Sequence, residues 1–245
     1  MNISVRRLST FAEAASQVYE KTGGKNALCF WEAGDAEAAL YKDSYVPGEF
    51  ILTFRGTEPS EISDVMADID VKAYTMRNGT CHNGFFEYLD SLMPAIDRDV
   101  HDMKIHVVGH SLGGAMALLY CVHCMERNTK STANILSLTT FGQPRALNTA
   151  LAKWFMANKT FPYTRFVNDR DLVARIPLRY THCGTQVVSN DDGKFSDTRE
   201  SIGCCRLVVE TVALLCSRRM PECIADHCMD QYHKVIELHA TTVLD

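Results

Sequence analysis

A chain of 245 residues with 46% hydrophobic and 22% charged residues, 14 glycines and 7 prolines lies in the ordinary globular range, which excludes collagen-like, low-complexity and disordered readings. Lys and Arg number 25 against 30 Asp and Glu, a formal net charge of −5, so nothing points to a nucleic-acid partner. A chain this long buries a sizeable core without a metal or disulfide staple. With no internal repeat, linker or biased segment, residues 1–245 read as one domain.

Met1 to Tyr19 carries Arg6 and Arg7 but no apolar run behind them, so no secretory leader is expected. That predicts an intracellular, cytoplasmic setting in which the ten cysteines are free thiols. Asn78-Gly79-Thr80 and Asn158-Lys159-Thr160 fit the glycosylation acceptor pattern, which has meaning only in a secreted chain. The longest apolar stretches, Leu112–Met125 and Leu207–Cys216, fall short of the ~18 residues of a membrane span.

In chain order, Arg7–Tyr19 has the spacing of an amphipathic helix, with Leu8, Phe11, Ala15 and Val18 on one face. Three short apolar runs bounded by Gly, Asp or Pro predict strands at Ala27–Trp31, Ala38–Tyr41 and Phe50–Phe54. Asn83–Val100 is helical, and Ile105–Val108 is a β-branched run suited to a buried parallel strand. A helix is predicted over Leu112–Arg127, a strand over Ile135–Phe141 and a helix over Leu147–Asn158. Strands at Tyr163–Val167 and Thr185–Val188 and helices at Arg206–Met220 and Met229–His239 complete the reading. Strands alternating with helices predict an α/β fold around a mostly parallel sheet flanked by helices. Function in such sheets sits beyond the carboxyl ends of the strands.

Gly109-His110-Ser111-Leu112-Gly113 matches G-x-S-x-G between a buried-type strand and a helix. The glycines let the chain turn sharply there, lifting the Ser111 hydroxyl into a cleft beside a helix N-terminus that favours negative charge. In such a turn the N–H of the next residue, Leu112, is an oxyanion donor. A serine needs a base and the base an orienting acid, and both follow the nucleophile in this class. Asp169 and Asp171 both follow a predicted strand, and four histidines come later, His182, His227, His233 and His239. The residues alone leave both choices open.

Gly109-His110-Ser111-Leu112-Gly113-Gly114 resembles the class 3 lipases, and so do four further segments in the same order. These are Phe54-Arg55-Gly56-Thr57, His82-Asn83-Gly84-Phe85, Thr140-Phe141-Gly142-Gln143-Pro144-Arg145 and the stretch from Asn168 to Pro177. The resemblance implies an α/β-hydrolase fold. It assigns the acid to Asp171, with Asp169 as a turn carboxylate. It assigns the base to His227, in an Asp226-His227-x-Met229-x-x-Tyr232 segment, with His182 structural and His233 and His239 on a helix face. It makes Thr57 the second oxyanion donor, His82 a buttress and His110 a packed residue.

The implied reaction is serine-based hydrolysis of lipid esters, needing no metal or other cofactor. Its partner is a lipid ester met through transient contact with a membrane or lipid-droplet surface. A phospholipase or lysophospholipase on the same triad, and a non-catalytic lipid- or partner-binding descendant, are the alternatives. Two departures stand out. Asp64-Val65-Met66-Ala67-Asp68-Ile69 has Val65 where secreted members carry a lid tryptophan, in an acidic setting with Glu58 and Glu61. Ser189–Glu222, with Cys204, Cys205 and Cys216, matches nothing in the fungal members. Cys121, His123 and Cys124 superficially suggest a metal; on the helix behind Ser111 they read as core.

Overall fold

The computed structural model describes residues 4–57, 72–127, 134–168, 171–189, 195–198 and 225–243. The expected lid segment, Asp169, the helix at 206–220 and Cys204, Cys205, Cys216 and Cys223 lie outside these residues.

Eight strands form one sheet: β1 (Cys29–Ala33), β2 (Ala36–Lys42), β3 (Glu49–Phe54), β6 (Lys104–His110), β7 (Ile135–Phe141), β8 (Tyr163–Asn168), β9 (Thr185–Ser189) and β10 (Phe195–Thr198). They lie side by side in that order. Pairing is parallel from β3 through β6, β7 and β8 to β9, and antiparallel at both margins. A separate hairpin pairs β4 (Ala73–Met76) with β5 (Gly79–His82).

The central strands are buried along nearly their whole length, so they lack the polar alternation of a half-exposed sheet. They pack against α1 (Val5–Gln17), α2 (Asn83–Asp99), α3 (Leu112–Arg127), α4 (Thr149–Asn158) and α5 (Met229–Val243). Helix α2 buries one stripe, Phe85, Phe86, Leu89, Leu92, Met93 and Ile96. Its N-cap is His82, whose Nδ1 accepts from the Phe85 N–H at 3.4 Å. Helix α3 is buried from Gly113 to Cys124, which requires apolar residues all round. On the opposite face α1 packs against α5, tied there by Ser16 Oγ and His233 Nε2 at 2.7 Å.

The expected helix at Leu147–Asn158 starts later, at Thr149. The Asn148 side chain accepts from the Leu151 N–H and sets the boundary. Leu147 instead bridges Cys81 and Thr181. Strands β4, β5 and β10 were not expected. They are short, and β4 is exposed at Ala73, Tyr74 and Thr75, so it offers no apolar pattern to read. No helix among the described residues is long and apolar enough to cross a membrane.

Candidate active site

Four neighbouring parallel strands end on one rim of the sheet and deliver, in spatial order, Thr57 after β3, Ser111 after β6, Gly142 after β7 and Asp171 after β8. Ser111 stands at φ 55°, in the left-handed region that costs a non-glycine residue about 1–3 kcal/mol. Its surroundings hold it there. The Ser111 N–H donates to the Phe141 carbonyl at 3.0 Å, and its own carbonyl accepts from Gly114 N–H at 2.9 Å. A side chain at Gly113 would collide with the carbonyl of Phe54, so the turn presses directly on the end of β3. A Cβ on Gly56 would come within 2.9 Å of Ser111 Cβ, which sets Thr57 one residue from the serine. Leu112 opens α3, and its N–H is among the first-turn donors with no partner inside the helix.

Asp171 and His227 are both fully enclosed. The His227 Nδ1 lies 2.9 Å from Asp171 Oδ2 and 3.0 Å from Oδ1. A carboxylate only accepts, so Nδ1 carries the proton and Nε2 keeps its lone pair. That Nε2 is buried without a hydrogen-bond partner among the described residues. Burial pushes the Asp171 carboxyl up, but the imidazole, the Tyr232 hydroxyl and the Ala174 N–H together hold it below the usual carboxylate value.

Three contacts fix the loop that carries His227. Asn168 Nδ2 donates to the Asp226 carbonyl at 3.0 Å, and Ser189 Oγ steadies Asn168 from the other side at 2.8 Å. The Tyr232 hydroxyl, from α5, donates to Asp171 Oδ2 at 2.5 Å and accepts from the Asn168 N–H at 3.0 Å. His110 Nε2 meets the His227 carbonyl at 2.7 Å while its Nδ1 faces the Tyr19 hydroxyl at 2.9 Å. The carbonyl can only accept, so Nε2 bears the hydrogen and Tyr19 donates to Nδ1. Burial and the neighbouring His227 push the His110 pKa down to about 3. Tyr19 also lies under the Arg55 guanidinium at 5.5 Å, and Arg55 is ion-paired to Glu37 at 2.6 Å.

Of the later histidines, only His227 meets an acid at this rim among the described residues. His182 donates from Nε2 to the Ala174 carbonyl at 2.6 Å, and His233 contacts Ser16. His82 caps α2 and stacks on Phe85 with ring centroids 3.9 Å apart. Sequence reasoning assigned Tyr232 and Tyr19 no role, and it took His110 as packing alone. Tyr232 was visible only as the last letter of a motif, and nothing local links Tyr19 to a residue 91 positions away. Cys121 and Cys124 are buried in the core, and neither is in a disulfide. Among the described residues, Asp43, Glu49 and His106 bring ligand atoms within 4.8 Å of one another. The Arg7 guanidinium already stands among them, 2.8 Å from Asp43 and 2.6 Å from His106 Nε2.

A mostly parallel sheet with a left-handed serine turn, followed in the chain by an acid and then a histidine, defines an α/β-hydrolase. Residues 51–181 match the family model for lipase (class 3), and the chain belongs to that family. It is 30% identical to a lipase of Rhizomucor miehei over 73% of this chain and 48% of that protein. It is 35% identical to a triacylglycerol lipase of Ricinus communis over 66% of this chain and 42% of that protein. The chain thus spans under half the length of these curated relatives. A solved triacylglycerol lipase with a serine protease triad at its catalytic centre superposes with a TM-score of 0.72 at 21% identity, covering 93% of this chain and 94% of that one. The Rhizomucor miehei lipase–propeptide complex gives 0.68 at 21%, covering 84% and 76%. At such identity the likeness shows the fold.

Proposed function

We propose that the chain is a serine hydrolase of lipid carboxylic esters, an acylglycerol lipase, acting as one domain at a lipid surface that it contacts transiently. Ser111 is the nucleophile, His227 the base and Asp171 the acid that orients it. The N–H groups of Leu112 and Thr57 receive the oxyanion. Ser111 Oγ attacks the ester carbonyl as its proton passes to His227 Nε2. The tetrahedral intermediate then expels the alcohol, which takes that proton. Water, deprotonated by the same nitrogen, attacks the acyl-enzyme, and its collapse frees the fatty acid and restores the serine. Each oxyanion donor is worth about 3–4 kcal/mol of barrier.

The observation that carries this reading is the enclosed His227 imidazole. It spends one nitrogen on Asp171 and leaves the other without a partner among the described residues, on the rim where a strained serine follows β6. The family match, and relatives named as lipases, support the substrate class. The test is turnover of a short-chain nitrophenyl ester, with labelling by a fluorophosphonate. The full chain should be labelled stoichiometrically, and Ser111→Ala should fold normally with neither labelling nor turnover. Undiminished turnover in that variant would reject the proposal.

A further inference from the structure

Behind the Asp171 loop lies a second polar cluster that the proposed chemistry does not use. Three segments are knitted together there by hydrogen bonds. The Arg145 N–H donates to the Ile176 carbonyl at 2.7 Å, His182 Nε2 meets the Ala174 carbonyl at 2.6 Å, and Arg165 Nε donates to the Cys183 carbonyl at 2.8 Å. The result gathers Arg145, Arg165, Arg175 and His182 into one neighbourhood. The cluster is deep: Arg145 is 6% exposed and Arg165 1%.

Arg165 is partly satisfied, since Nη2 also reaches Gln186 Oε1 at 3.0 Å, but its Nη1 is enclosed and unpartnered. Arg145 is the anomaly. Among the described residues its guanidinium has neither a hydrogen bond nor an ion pair, and its Nε is enclosed with nothing to donate to. Among the described residues, the charged groups within electrostatic reach of it, Arg165 and Arg175, carry the same sign. A guanidinium does not shed its proton at accessible pH, so it cannot escape the burial cost by becoming neutral. A buried cation beside cations carries a cost that a bound group of opposite charge would offset.

We propose that Arg145, backed by Arg165, is a binding site for an oxyanion, a carboxylate or phosphate group, that enters from solution or on a lipid. The planar guanidinium fork matches both groups in a bidentate way that a lysine would not. The Arg145 backbone is tied to Ile176, at the far end from Asp171 of the segment that carries the orienting carboxylate. The bound anion lies against the segment from Asp171 to Ile176, which holds the orienting carboxylate at one end.

The test is the melting temperature of the full chain carrying Ser111→Ala, so that it is indifferent to whether the protein hydrolyses esters. Inorganic phosphate and sodium butyrate are titrated against sodium chloride at matched ionic strength. A saturable rise with phosphate or butyrate that chloride does not reproduce supports the site, because a ligand of the native state alone raises its stability. The arm that responds names the source, a phosphate or a carboxylate. Arg145→Gln should abolish the rise and, in chloride, melt no lower than its parent, since it removes an unpaired buried charge. Arg145→Lys, which keeps the charge and loses the fork, should fold and need at least ten times more anion. The proposal is overturned by the absence of any anion-specific rise. It is equally overturned by a rise that survives in Arg145→Gln, or by an Arg145→Gln protein that melts well below its parent in chloride.

Discussion

His110 donates its Nε2 hydrogen to the backbone carbonyl of His227 at 2.7 Å, with the two rings 4.7 Å apart. The residue before the candidate nucleophile thus holds the candidate base from behind. Tyr19, just beyond α1, completes the chain through the His110 Nδ1 at 2.9 Å. Replacing His110 with Phe leaves the His227 carbonyl buried and unpaired, a loss of about 1–3 kcal/mol. Because reacting groups tolerate little displacement, kcat should fall about 100-fold while KM stays near its parent value. Steady-state kinetics on the nitrophenyl ester, with a urea midpoint, check both effects.

Tyr232→Phe removes the hydrogen bond to Asp171 and the one the hydroxyl accepts from the Asn168 N–H, while the ring keeps its edge-on packing against Phe141. The bond to Asp171 favours the ionised carboxylate, so its loss raises the Asp171 pKa from its depressed value. The acid limb of the kcat/KM profile should therefore move to higher pH, with activity on the plateau reduced about tenfold. An unchanged profile would deny Tyr232 any part in poising the acid.

Stability should fall as the solution is acidified below neutrality. His110, its pKa pushed down to about 3 by burial, and His182, held well below its ordinary value by burial, stay neutral in the fold. In the unfolded chain they protonate near pH 6.5. Between those values the unfolded state binds more protons, so each such histidine subtracts about 1.4 kcal/mol per pH unit as pH falls from about 6.5. Full stability lies above that pH. Urea unfolding at pH 7, 6 and 5 measures the slope, and His110→Phe should flatten it by about one proton.

Gly142 occupies φ +58°, and an added Cβ would sit 2.7 Å from Asp171 Oδ2 and 2.8 Å from His227 Nδ1. Gly142→Ala therefore meets two penalties, a backbone conformation costing about 1–3 kcal/mol and a methyl driven between acid and imidazole. Activity should drop by at least about 100-fold, further than the loss of stability alone predicts. Kinetics corrected for the folded fraction separate the two.

The legibility of this molecule in its sequence varied with the range of the forces involved. The helix behind Ser111 and the buried strand before it were readable because a run such as Ile105–Val108, or an all-round apolar helix, reports its own burial. The hairpin of β4 and β5 was not readable, because Tyr74 and its neighbours face outward and carry no apolar rhythm. Ser111 stood out through its flanking glycines, which a short-range collision demands. Asp171 and His227 did not stand out by themselves: one of two carboxylates and one of four histidines had to be chosen by resemblance, and the fold then brings that pair together at 2.9 Å.

What the amino-acid order determined alone was therefore the buried strands and helices of the centre of the sheet and the sharp turn at Ser111, since both follow from contacts between residues a few positions apart. Only the tertiary structure decided which imidazole meets which carboxylate, that Tyr19 and Tyr232 close around them, and that Arg145 has no acid beside it among the described residues. Those outcomes depend on strands and helices from opposite ends of the chain converging on one rim of the sheet. Burial there makes each unpaired nitrogen costly, and no periodicity in the sequence records that cost.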